Sequence, residues 1–147
     1  MRVDLILAAI LCGQGTDQTG VGLATAFGHL LGARMGIDNG IVNALMLPHT
    51  MRFNAAATGD RQGKVLRALG SHASQAQSAG DTSVTAIAAV GALLSRLQVP
   101  LRLRDVGAKR EGFDGVAKDA LDDWFVQANP RRIGSSADVL GVMQAAW

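Results

Sequence analysis

The sequence holds three histidines, His29, His49 and His72, the side chains best suited to metal ligation and to proton transfer near neutral pH. A catalytic metal centre needs about three protein ligands and an open position, held by further hydrogen bonds. His29 has Thr25 one helical turn before it, where a second imidazole would face the same way. A threonine hydroxyl is a poor ligand for iron or zinc, and the neutral amide of Asn39 is a weak oxygen donor better matched to calcium. Asp38 could stand beside His29, but two ligands do not make a tight site. No tight metal site is therefore expected from this chain alone, and His29 itself is expected as a core histidine bonded to a backbone carbonyl.

The remaining candidates weaken on inspection. Gly15 to Gly20 has P-loop spacing, yet Val21 and Gly22 stand where the lysine and hydroxyl would hold phosphate and magnesium. The dinucleotide pattern fails too, because Gln18 occupies the third glycine position. Cys12, the single cysteine, has apolar neighbours and is expected as a buried small hydrophobe rather than a nucleophile. The acidic group Asp119, Asp122 and Asp123 falls on the solvent side of an amphipathic pattern and reads as a wet face.

These residues need helices to position them. Val3 to Cys12 is an apolar run that could be strand or helix, followed by a loop. Gly22, Ala24, Ala26, Gly28, Gly32 and Ala33 make the stretch after Thr19 rich in small residues. Glycine inside a helix costs roughly 1 kcal/mol against alanine, so close approach of another backbone or a ligand is expected there, deep in the fold. A turn at Gly36-Ile37-Asp38-Asn39-Gly40 leads to a second helix containing Leu47-Pro48-His49.

Ala55 to Gly59 is expected to loosen, with Asp60 capping a short helix over 61–69. Gly70 to Gly80 reads as a mobile loop carrying a solvated His72. Asp81-Thr82 caps the next helix, running to Leu97, with Val84, Ile87, Ala88, Gly91 and Leu94 on one face. Phe113, Val116, Ala117, Ala120, Leu121, Trp124 and Phe125 mark the clearest amphipathic helix. Ser135 to Asp138 caps a last helix facing Val139, Met143 and Trp147 inward.

At 147 residues the chain fits a single domain able to bury its own core. It is 48% hydrophobic and 18% charged, and a charge content so low suggests a surface partly covered by something else. A net charge of +2 with 4% aromatics gives no support to nucleic-acid binding. The apolar run near the start is too short to span a membrane and is interrupted by Asp4. One cysteine allows no internal disulfide and fits a reducing, cytoplasmic setting.

Gly22, His29, Gly32, Gly40, Asn43-Ala44, Leu47-Pro48-His49, Met51-Arg52 and Asn54 keep an ungapped spacing. With Leu101 to Gly107, Asn129-Pro130-Arg131 and the ending Ala145-Ala146-Trp147, they resemble the C-terminal helical domain of the iron-containing (group III) alcohol dehydrogenases and maleylacetate reductases. The resemblance implies an all-α domain over 1–147, of about six or seven helices, from a family that uses NAD(P) and iron or zinc. It also implies that Thr25 and Asn39 stand at two of the family's metal-ligand positions, and that His29 matches a histidine beside the substrate. The family's other two ligands and its nucleotide-binding domain have no counterpart in these residues, so no cofactor is expected for this chain alone.

Three functions follow as expectations: an interaction or binding module inactive by itself, one half of an NAD(P)-dependent oxidoreductase acting on an alcohol or carbonyl compound, or a small-molecule binder using the old substrate pocket around His29. Expected partners are a second copy or a chain carrying the nucleotide-binding domain, with neither nucleic acid nor membrane.

Overall fold

The computed structural model describes residues 2–70 and 78–147. Among them are seven α-helices, with 3-10 turns at Leu103–Val106 and Arg110–Gly112 and no strand. His72 and most of the Gly70–Gly80 segment lie outside the described residues.

Helix α2 (Leu23–Met35) is the buried centre. Leu23, Phe27 and Leu31 repeat at four-residue steps and are 1%, 0% and 0% exposed. Burying each such side chain contributes about 1.5–3 kcal/mol. Gly36 closes the helix in the left-handed conformation, φ 67°, and its N–H bonds to the Gly32 carbonyl. The chain turns, and Asp38 caps α3 (Asn39–Ala68) by accepting from Ile41 N at 3.0 Å. Asn39 and Gly40, expected in the turn, are the first residues of that helix.

Helix α3 runs through Pro48 and through the expected break at Gly59-Asp60. Three side-chain bonds bridge the doubtful stretch: Thr58 Oγ1 donates to Asn54 O, and the buried Gln62 donates from Nε2 to Met51 O and Thr58 Oγ1. Alanine at 55–57 favours the helix locally. Helix α4 (Ala79–Arg96) then packs along α3, capped by Ser78, which accepts from Asp81 N. Its buried residues are Ser83, Ala86, Ile87, Val90 and Leu94. Val84, expected inside, is 69% exposed, so the packed face is rotated about one residue from the one expected.

Helix α5 (Phe113–Asp122) buries Phe113, Val116, Ala117 and Ala120, as its periodicity predicts. The single helix expected here breaks at Asp123, whose extended backbone (ψ 122°) starts α6 (Trp124–Gln127) and whose Oδ1 accepts from Phe125 N at 2.8 Å. The break turns Trp124 outward, 71% exposed, although its spacing had placed it inside. Asp119 is not a lone solvated acid, since its Oδ2 meets Arg34 NH2 at 2.5 Å. Helix α7 (Ser136–Ala145) returns to the core through Val139, Val142 and Met143, with Asp138 accepting from Ser135 N. Trp147 packs edge-on to Phe113, ring centres 5.5 Å apart.

Helix α1 (Arg2–Thr19) differs from all of these. It has no buried residue, and Val3, Leu5, Ile6, Leu7, Ile10 and Leu11 are each 51–67% exposed. It continues through Gly13 and Gly15, where a loop was expected; Thr16 and Thr19 donate to the Gly13 and Gly15 carbonyls. Cys12 is exposed along with the rest of the helix, not buried, because no described residue packs on it. A helix half whose apolar residues lie on every side, as over 5–12, is one made to be covered. Among the described residues no helix is long and apolar enough to cross a membrane.

Candidate functional site

Of the residues singled out by the sequence, Gly28 and Asn39 meet where α2 crosses the start of α3. Gly28 makes the crossing possible: a Cβ there would collide with Oδ1 of both Asn39 and Asn43. The close helix approach expected from the glycines is therefore present, and it is made against two amides. Asn43 Nδ2 donates to Asn39 Oδ1 at 2.8 Å. Asn43 Oδ1 is shut off from water and has no hydrogen-bond partner among the described residues.

Thr25 is half-buried on the same helix, and His29 is exposed. The core position expected for His29 is not what the fold provides. The buried stripe of α2 is Leu23, Ala26, Phe27, Gly28 and Leu31, and His29 falls on its outer side. Its imidazole rests against Phe125, ring centres 5.1 Å apart, and Phe125 in turn packs on Trp124 at 4.5 Å. The result is an open surface of one imidazole and two aromatic rings, carried by α2 and α6.

A second cluster locks the other end of α2. Gly22 offers no side-chain cap, and Asn129 takes its place: its Oδ1 accepts from Leu23 N at 3.2 Å and from Asn54 Nδ2 at 3.1 Å. Asn129 Nδ2 donates to Asn54 Oδ1 and to Arg131 O, both at 2.7 Å. Arg131 lies 4.2 Å over the Phe53 ring, and its NH1 donates to Phe53 O. One asparagine thus joins α2, α3 and the segment before α7. Composition and periodicity gave no hint of this, since the bonded residues lie 75 and 106 positions apart.

His49 is remote from His29 in role. It is half-buried in a cavity walled by α3, α4, Leu101-Arg102 and the end of α7. Burial holds its pKa below the ordinary histidine value, the Arg52 charge adds to that, and a backbone hydrogen bond with Leu101 opposes it.

Residues 1–147 match the C-terminal model of the Fe-containing alcohol dehydrogenase family. The chain belongs to that family. Lactaldehyde reductase of Escherichia coli K12 is 33% identical over 144 residues, which are 98% of this chain and 37% of the reductase. The alcohol dehydrogenase from Oenococcus oeni superposes with a TM-score of 0.87 at 30% identity, covering 93% of this chain and 35% of that one. A 1,3-propanediol oxidoreductase gives 0.80 at 30% identity over 86% of this chain and 32% of its own. The chain thus spans about a third of the length of the relatives it matches.

The family uses NAD(P) and iron. The described residues of this chain by themselves offer no iron site. Among those described, no three His, Cys, Asp or Glu side chains converge. At the α2–α3 crossing the side-chain donors are the amides of Asn39 and Asn43, and Asn39 already spends Oδ1 on Asn43. Neutral oxygens of this kind are a poor match for iron.

Proposed function

We propose that this domain is the helical, substrate-side part of an alcohol or carbonyl oxidoreductase assembly, that it docks through α1 on the part that binds the nicotinamide cofactor, and that it does not turn over by itself. The observation that carries the docking is α1, a helix of 18 residues with no residue buried, whose N-terminal part exposes Val3, Leu5, Ile6, Leu7, Ile10 and Leu11. Such a helix is stable in water only when another surface removes it from solvent. The donor set at Thr25 and Asn39 supports the lack of turnover. The exposed free thiol of Cys12, on the face to be covered, fits a reducing cytoplasmic setting. His29, Phe125 and Trp124 then line the substrate side, the imidazole offering a proton donor and the rings an apolar wall.

The test uses the full chain and the N-terminal portion of E. coli lactaldehyde reductase, the part not matched here. Size-exclusion chromatography is expected to show a one-to-one complex, lost when Ile6→Asp and Ile10→Asp are introduced. NADH oxidation with lactaldehyde is expected to stay at background for the chain alone. Turnover by the isolated chain would overturn the inactive-alone reading. A complex that forms equally well with the two aspartates would overturn docking through α1.

A further inference from the structure

The half-open cavity beside His49 has a volume of about 890 Å³, within the range of small-molecule sites. Leu45, Val84, Ile87, Leu101 and Trp147 give it apolar walls, and Val84 and Ile87 come from the α4 face that the periodicity marked as inward. Its polar groups are of one sign. Arg52 and Arg102 both line it, no Asp or Glu does, and among the described residues neither arginine has an ion-pair partner. Two lining side chains also hold polar atoms that are cut off from water and unbonded: His49 Nδ1, and Oγ of Ser83, a residue only 1% exposed. A buried hydroxyl with no partner is unfavourable, so an occupant that bonds it would be favoured.

We propose that this cavity is a binding site for a small organic carboxylate with an apolar body, its carboxylate held by Arg52 and Arg102 and its hydrocarbon part set between α4 and Trp147. Guanidinium groups bind carboxylates through paired, charge-assisted hydrogen bonds, which supplies the polar end. The five apolar walls supply the rest. The site is separate from the His29 surface and needs neither the nicotinamide cofactor nor a metal.

Isothermal titration of the full chain with octanoate, 1-octanol and inorganic phosphate tests this. Octanoate is expected to bind saturably at one site, with octanol and phosphate each weaker by roughly tenfold or more, because each lacks one half of the recognition. Arg52→Gln with Arg102→Gln, both at exposed positions, should weaken octanoate by a similar factor. Ala88→Trp, at an exposed α4 position on the cavity wall, should abolish binding by filling the space while leaving the helical circular dichroism unchanged. Absence of saturable octanoate binding would overturn the proposal. Binding unchanged in both variants would do so too, by showing that octanoate sits elsewhere, such as on α1.

Discussion

Replacing Asn129 tests whether one side chain holds three parts of this domain together. In Asn129→Ala the Leu23 N–H loses its acceptor in a buried position, the Asn54 amide loses both its bonds to Asn129, and the Arg131 carbonyl loses its side-chain donor. An unsatisfied buried N–H costs about 1–3 kcal/mol, and loss of a helix cap typically about 1 kcal/mol. These overlap at Leu23, so the expected loss is about 2–4 kcal/mol once the Asn54 bonds are included. Urea unfolding followed by circular dichroism measures it, read as a lower midpoint with an unchanged slope. Asn129→Asp should fall between, because it keeps the acceptor and places a negative charge at the α2 N-terminus while losing both donors. A double-mutant cycle with Asn54→Ala should show a coupling of at least about 0.5 kcal/mol. A cost under about 0.5 kcal/mol for Asn129→Ala, with additive behaviour toward Asn54→Ala, would refute the reasoning.

Gly28→Ala should destabilise by about 1–3 kcal/mol despite alanine's better helix propensity, since the new methyl must displace Asn39 and Asn43; a gain in thermal stability would count against the tight crossing. His49 has a depressed pKa in the fold, so the unfolded chain binds its proton first as pH falls. Its neutral form therefore supports the fold fully above the ordinary value of about 6.5, and stability drops below it. Urea midpoints at pH 7.5 and 5.5 should differ more for the native chain than for His49→Gln, and equal differences would show that His49 does not contribute. Thr25→His with Asn39→His should leave zinc binding by the chain alone weak in equilibrium dialysis, and nanomolar affinity would show that the crossing assembles a site by itself.

The parts legible in the sequence are those where a helix is amphipathic against one core. The inward residues of α5 and α7 follow from their spacing, and Gly36 and Asp38 mark the α2–α3 turn through local backbone chemistry. What escaped depends on contacts remote in sequence or on contacts that are not made. Continuity of α3 past Gly59 rests on Gln62 reaching back to Met51 and on α4 lying alongside. The outward turn of Trp124 follows from a break at Asp123 that a repeating pattern conceals. His29 was misjudged because an imidazole between apolar neighbours reads as core, whereas the buried arc of α2 is set by α3 and α5 packing on the other side. Cys12 and α1 depart from expectation for the opposite reason: the mostly apolar run from Val3 to Cys12 signals burial, and no described residue covers it.

The two tryptophans also make this domain its own optical instrument. The sequence has no tyrosine, so Trp124 and Trp147 alone account for its indole-type fluorescence. Trp124 stands in solvent beside Phe125 at the His29 surface, while Trp147 is half-buried at the cavity wall with Arg110 5.1 Å from its ring. Iodide should quench the red-shifted emission of the first and largely spare the blue-shifted emission of the second. In a Trp124→Phe background the remaining signal reports the cavity alone, and in Trp147→Phe it reports the substrate-side surface, so occupancy of each region can be followed in one cuvette without an attached dye.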